Sequence, residues 1–562
     1  MKRSTKTMTF LACCLCALEI TAAPAQTNSA PSATTADLYQ MDLNLDPAFG
    51  RMEGRMLLRY GNNSKNPLPA VRLRLDPNLD TKQSLEILAV QDSAGRPLRW
   101  KHQPLKFAKW SSEKGALEVV LPEPVLPAGQ ATFAIRFRGE GSYVSSNMIV
   151  LQDDPYHSLD GWYPKAMTPR GDGWSIDDDR PSDYEVTVKL PAGIAVASTG
   201  RRVSEVKRDG QVELRLKAER VWGFTIYGSS RWQRHERRAG GVDLGICVPA
   251  EAESWVERLL DATADSIAFY EKEYAPFPAR HLDIIGQGSF SERAHGSSAA
   301  CNLITIFLGG QFEKQYRFLV AHEVAHQYFG TQVGFHRADI HWIPVGLGMT
   351  MDEHYAQARG LDATFGRKIM REFYFMAERM GFDTTLSQPV EPAMQAPPPW
   401  SFGWNMSLAH GKAYAVCAML RDLLGAEKFQ AVLRELITQR AGGLIRQADL
   451  IAACETALGE RLDWFVADWI DGRATFDNAI TSVAKVGGDW DVTVAQVGTG
   501  RFPAQVEVTT VSGEKLRQRV DRAKPSDTLH FKTPGPLRSV RLDPEHIYPD
   551  LNETNNVWRA GQ

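Results

Sequence analysis

One helical turn constrains this chain more than any other feature: His322-Glu323-Val324-Ala325-His326. Residues i and i+4 lie on one face of a helix, so the two imidazoles can present nitrogens to a single metal ion. Glu323 then stands beside them to take a proton from a water held there. Phe318, Leu319, Ala321, Ala325 and Phe329 supply an apolar surface and Gly330 a stop signal, which predicts a helix over 315–329. The pattern has only three defined positions. Its alternative is a helix whose two histidines are satisfied by ordinary hydrogen bonds. The apolar setting and the Gln327-Tyr328-Phe329-Gly330 that follows favour a zinc-hydrolase helix.

At 562 residues the chain exceeds one ordinary domain, and 43% hydrophobic with 23% charged residues is a globular composition. A net charge of -3 gives no reason to expect nucleic acid or an anionic membrane as partner. Residues 1–25 read as a secretory signal: Lys2, Arg3 and Lys6, a short apolar core from Met8 to Leu18, then Ala23-Pro24-Ala25 before Gln26. A permanent anchor or a plain tail is the alternative. That apolar stretch is too short to span a bilayer and no later run is long enough, so the chain is expected to be exported, periplasmic or extracellular, without a transmembrane segment. Cys13, Cys14 and Cys16 would leave with the signal; a lipid anchor at one of them is weakly supported. Cys247, Cys301, Cys417 and Cys454 remain, too few and too scattered for a disulfide framework, and are expected as buried thiols or at most one bridge.

After a Ser/Thr/Ala/Pro linker at 26–36, apolar and polar residues alternate through Tyr39-Gln40-Met41-Asp42-Leu43 and Gly54-Arg55-Met56-Leu57, with turns at Asn62-Asn63-Ser64 and Asp76-Pro77-Asn78. Residues 37–235 are expected as an all-β domain. From about 252 the period changes, with Trp255, Leu259, Leu260, Ala264 and Ile267 on one helix face; helices are expected to dominate 240–475. Pro389–Pro399 reads as a rigid connector. Strand patterns return at Trp490–Val494, Gln505–Val508 and Ser539–Leu542, which predicts a β-sandwich over 478–550 and a tail at 551–562.

This order of domains, with the histidine motif, resembles the gluzincin aminopeptidase family, which includes membrane alanyl aminopeptidase and leukotriene hydrolase. Further matching pieces follow the family's order along nearly the whole mature chain: Leu43-Asn44-Leu45-Asp46-Pro47, Gly161-Trp162-Tyr163-Pro164, Asp183-Tyr184-Glu185-Val186, Ala197-Ser198-Thr199-Gly200, Leu462-Asp463-Trp464-Phe465 and Leu542-Asp543-Pro544. The resemblance implies a multidomain α+β protein: an N-terminal all-β domain, a central, mostly α-helical, thermolysin-like catalytic domain, and a C-terminal β-sandwich. It implies one zinc held by His322 and His326, hydrolysis of peptide bonds by zinc-activated water with Glu323 as general base, and a peptide or protein substrate.

Three departures stand out. The family's third ligand is a glutamate nineteen positions after the second histidine; Trp342 and Gly346 hold the register, but the residue there is Val345. Asp352, two turns on and roughly 10 Å away, is too far to reach the same ion. His341, one turn before Val345, is the best candidate replacement, with Pro344 able to alter the path; otherwise two histidines with extra water, or no metal, remain. The family's amine-binding motif is also missing. In its stretch, Glu292 is the candidate amine anchor, or simply pairs with Arg293. Where the family has a catalytic tyrosine, His410 stands as a candidate oxyanion donor, while Tyr414 reads as a core aromatic. A metallopeptidase with weakly held zinc, and a pseudo-peptidase that binds peptides or a protein partner, both follow from these residues.

Overall fold

The computed structural model describes residues 36–561, apart from 47–50, 80–82, 108–109, 142–143, 146–147, 154–160, 177–178, 288–296, 310–313, 337–339, 383, 390–404 and 534. The expected signal, nearly all of the linker, most of the Pro389–Pro399 connector, and Glu292 with Arg293 lie outside the described residues.

Strict alternation makes the first strand, Leu38–Asp46, half-buried: Tyr39, Met41, Leu43 and Leu45 point inward while their neighbours face water. It pairs antiparallel with Arg51–Gly61 and parallel with Ser182–Pro191 at the centre of a seven-stranded sheet. Gly54 is required there, since a Cβ would sit 2.3 Å from the Phe137 ring on the neighbouring strand. A four-stranded sheet built on Leu68–Arg74, Trp100–Phe107 and Trp110–Val125 shares its core with the larger one.

The expected boundary at 235 cuts through a strand. Trp232–Ala239 pairs with Val242–Pro249 and so belongs to the next domain, which opens with a five-stranded sheet completed by His281–Gln287, Leu303–Phe307 and Ser298–Ala300. These last strands are buried almost throughout, so they appear as short apolar runs rather than as alternation. Helices pack beyond it: α1 (Val256–Glu273), α2 (Tyr316–Ala325), α3 (Trp342–Ala358), α4 (Thr364–Arg379) and, after a π-helical stretch at Asn405–Lys412, α5 (Ala413–Leu424). One apolar core runs from these helices into the C-terminal sandwich through Trp469, Phe476, Phe502 and Tyr548. That sandwich has a three-stranded and a four-stranded sheet. The expected tail is part of it, because Val557–Arg559 pairs with Leu537–Leu542. Asp422 of α5 ties the two domains together, accepting from Arg519 at 2.6 Å and from the Tyr548 hydroxyl at 2.7 Å.

Cys247, Cys301, Cys417 and Cys454 are buried free thiols, and burial pushes all four up from their ordinary titration range. Among the described residues no helix is long and apolar enough to cross a membrane.

Candidate active site

Helix α2 is shorter than its apolar pattern predicts. It ends at Ala325, with His326 as C-cap; the following residues bond i→i−3, from Gln327 to Val324 and from Tyr328 to Ala325, and Gly330 reverses the chain at φ +122°. The helix is bolted in place from several sides. Tyr270 of α1 donates to the Ala321 carbonyl, the Gln327 amide spans the Asn302 N–H and the Ala300 carbonyl, and Tyr328 donates to the Ala275 carbonyl. Trp222, from the N-terminal β domain, donates its indole N–H to Thr331 at 2.7 Å.

Within this frame both imidazoles are oriented by their Nδ1 atoms. His322 Nδ1–H donates to Asp352 Oδ2 of α3 at 2.7 Å, and His326 Nδ1–H donates to the Phe329 carbonyl at 3.2 Å. Each ring therefore turns its Nε2 lone pair inward, and the two Nε2 atoms face each other at 3.2 Å. Two lone pairs repel at that distance unless a proton or a cation lies between them. Two imidazoles binding one tetrahedral zinc at ~2.0–2.1 Å would hold their nitrogens roughly 3.3 Å apart. The pair therefore fits the donor set that the histidine motif implies.

Burial, the neighbouring His322 and, more weakly, His410 hold His326 well below its ordinary range, so it is neutral and ready to ligate. For His322 burial acts the same way, but the Asp352 hydrogen bond and the charges of Glu323 and Asp352 outweigh it. Burial lifts Asp352 to about 7, against the pull of His322, so the two share a proton. Asp352 was expected to be too distant to ligate. Its place is on the far side of the imidazole, where it orients a ligand instead.

Helix α3 passes close to the pair: a Cβ on Gly348 would lie 3.2 Å from the His326 ring. Val345, one turn earlier, is buried in a small apolar group with Met349, Tyr414 and Ala418. Among the described residues no third His, Cys, Asp or Glu joins the two histidines in a set able to hold a metal. This corrects the expectation for His341, which caps the start of α3 at ψ +39° and lays its ring against Phe335 at 4.5 Å. Glu323 is buried on α2 and its charge reaches His322. His410 lies on the π-helical stretch, close enough for its charge to act on His326. Tyr414 points elsewhere, bonding Glu353 and Arg367.

Comparison with known proteins agrees with this geometry. Residues 258–469 match the model of the peptidase family M1 domain. Tricorn protease-interacting factor F2 of Thermoplasma acidophilum is 22% identical over 283 residues, 48% of this chain and 36% of that protein. Aminopeptidase N of Lactococcus lactis subsp. cremoris is 23% identical over 258 residues, 44% of this chain and 30% of that protein. The chain thus spans about a third of the length of these curated relatives. In fold it is similar to the crystal structure of M1 zinc metallopeptidase from Deinococcus radiodurans, with a TM-score of 0.56 at 17% identity, covering 75% of this chain and 91% of that one. A variant of that enzyme superposes with a TM-score of 0.59, at 17% identity, over 78% of this chain and 94% of that one. Residues 258–469 are thus a distant peptidase family M1 domain, in a chain whose fold is similar to that of M1 zinc metallopeptidases.

Proposed function

We propose that this protein is a divergent zinc metallopeptidase that hydrolyses peptide bonds. The observation that carries the reading is the pair of inward-facing Nε2 atoms, 3.2 Å apart, with both Nδ1 atoms tied down behind them. With both Nδ1 atoms committed behind them, the two Nε2 atoms are left to share a proton or to hold a cation between them. His322 and His326 would hold the metal. When bound, zinc supplies polarisation of the scissile carbonyl and acidification of water.

The chain's own groups supply the rest. Glu323, between the two histidines in sequence and buried like His326, takes the proton of the attacking water and passes it to the leaving amine. His410, on the approach to His326, donates a hydrogen bond to the carbonyl oxygen as charge builds there. Residues 1–25 extend the proposal to an exported protein, which the N-terminal sequence of the mature chain tests.

One observation favours a second reading, a pseudo-peptidase that binds peptides without cutting them: the ligand position at 345 is a valine packed among apolar side chains. Zinc content of the purified protein, followed by cleavage of one peptide with free and N-acetylated ends, separates the two. The peptidase reading expects substoichiometric zinc and cleavage that zinc addition raises and Glu323→Gln abolishes. With no assured amine anchor, the two peptides are cut within about an order of magnitude of each other. A preference of roughly a hundredfold for the free amine instead marks an exopeptidase with Glu292 as its anchor. No cleavage of either peptide with zinc present overturns the peptidase reading in favour of the second.

A further inference from the structure

Tyr270, Gln327 and Tyr328 hold the histidine pair from within its own domain, but a bond also reaches it from outside. Residues 222–225 connect the strands Gln211–Val221 and Ile226–Ser229 of the N-terminal β domain and are buried throughout. Their surroundings fix them. The Lys165 ammonium, paired with Asp153 at 2.9 Å, donates to the Trp222 carbonyl at 2.6 Å. The Phe224 N–H donates to Asp153 at 3.3 Å, and the Trp162 indole donates to the Phe224 carbonyl at 2.6 Å. Gly223 admits no side chain, since a Cβ would lie 2.2 Å from the Asp153 carbonyl oxygen. All of these partners belong to the β domain. The Trp222 indole points out of it.

That indole lands on the turn that carries His326. Its six-membered ring sits against Gly334, where a Cβ would come within 2.5 Å of it, and its Nε1–H donates to the Thr331 carbonyl at 2.7 Å. Thr331 is in turn tied to His326, its N–H donating to the His326 carbonyl at 3.2 Å, while His326 Nδ1–H donates to the Phe329 carbonyl at 3.2 Å. The Phe329 carbonyl fixes the tautomer and swing of the His326 ring, and hence where its Nε2 points. The far side of the turn is held by Gly334 N–H on the Gly443 carbonyl at 2.9 Å and Gly442 N–H on the Gln332 carbonyl at 2.8 Å. Trp222 holds the near side. A buried indole N–H needs an acceptor wherever it lies. This one takes its acceptor from the same hydrogen-bonded turn that aims a metal-binding nitrogen.

We infer, resting on the reading of His322 and His326 as zinc ligands, that Trp222 is a positioning residue. Through this indole the N-terminal β domain sets the direction of His326 Nε2, and with it the affinity of the pair for zinc. Partners bonded directly to a ligand are worth ~10–100-fold in affinity, and Trp222 acts at one further remove, so its share is expected at roughly three- to tenfold.

Cobalt(II) in place of zinc tests this on the full chain without turnover, because its visible spectrum reports ligand geometry alongside affinity. Trp222→Phe keeps an aromatic ring against Gly334 and removes the N–H. Gly334→Ala keeps the N–H and pushes the ring off the turn. Each is expected to bind cobalt roughly three- to tenfold more weakly than wild type, corrected for the folded fraction and with altered visible bands. Either variant reads the contact if the other fails to fold. The double variant is expected to be no weaker than the weaker single one, since both act through one contact and the smaller ring leaves room for the methyl group. Trp490→Phe is the control: it loses an indole bond to Gly535 at 3.0 Å in the C-terminal sandwich and leaves affinity and spectrum unchanged. A residue that only held the fold would lower the metal-free melting temperature and leave both cobalt readouts alone. That outcome on a cobalt-binding wild type overturns this inference by itself, as does equal weakening by Trp490→Phe. A wild type that takes up no cobalt overturns the zinc reading, and this inference with it.

Discussion

Asp352 and Glu353 are neighbours on one helix, both buried, and they meet opposite fates. The Glu353 carboxylate sits among Arg421 at 2.8 Å, Arg367, the Tyr414 hydroxyl and the Gln357 amide. Burial alone would raise its carboxyl, but the Arg421 and Arg367 charges and the Tyr414 hydrogen bond hold it below its ordinary range. Asp352 has one side-chain partner, His322, and its second oxygen is buried with no side-chain hydrogen bond. Burial prevails there and carries it to about 7. A residue that only holds the fold can saturate its surroundings. Asp352, which orients the His322 imidazole, is left short of partners beside the two facing Nε2 atoms, as the proposed metal site would have it.

The sharpest way to break this comparison is to remove each carboxylate in turn. Glu353→Gln leaves two guanidiniums buried with no anion between them and is expected to cost about 3–5 kcal/mol in denaturant unfolding. Zinc affinity, corrected for the folded fraction, is expected to stay unchanged. A stability loss below about 1 kcal/mol would mean that the arginine cluster does not close on Glu353.

Asp352→Asn should do the reverse. Stability moves by less than about 1 kcal/mol, while zinc affinity falls ~10–100-fold because His322 loses the group that orients it and raises its basicity. Calorimetric zinc titration of the two variants side by side reads the contrast directly. Equal affinities in Asp352→Asn and wild type would show that His322 does not ligate through Nε2.

These expectations also measure how far the site could be read before the fold was known. His322, Glu323 and His326 were legible because their spacing is local, and Val345 because Trp342 and Gly346 keep the count. Spacing puts Asp352 too far from position 345 to share a ligand role, yet a residue seven positions on stays on the same helix face and can reach the back of an imidazole. His341 would share the helix face of Val345 only if α3 began before it, but the helix starts at Trp342 and His341 stands at its N-cap position with its ring against Phe335. The sheet through His281–Gln287 and Leu303–Phe307 escaped notice because strands buried on both faces show no period.

Restoring the missing ligand sharpens the comparison from the other side. Val345→Glu puts a carboxylate into a pocket formed by Met349, Tyr414 and Ala418. Without zinc it adds a second under-satisfied acid to α3 and lowers stability. With zinc, affinity is expected to rise more than roughly tenfold, the loss seen for outer-shell partners being a lower bound, and the melting temperature becomes zinc-dependent. Unchanged affinity would mean that the path through Pro344 aims position 345 away from the histidines.

The smallest effect lies in acid. Glu353 titrates below its ordinary value in the folded protein, so its contribution to stability is fully present above the unfolded carboxyl's pKa of 4.5 and is lost as pH falls through the folded value. Removing one of its two cations, by Arg421→Gln, raises the folded value toward the unfolded one and shrinks the stability that acid can take away. The variant should therefore start less stable at pH 7 and lose less between pH 5 and 3, so its unfolding free energy converges on that of wild type as the solution is acidified. Denaturant titrations at pH 7, 5 and 3 follow that convergence. Parallel curves for the two proteins would mean that Arg421 contributes packing rather than charge, and that Glu353 depends on Arg367 alone.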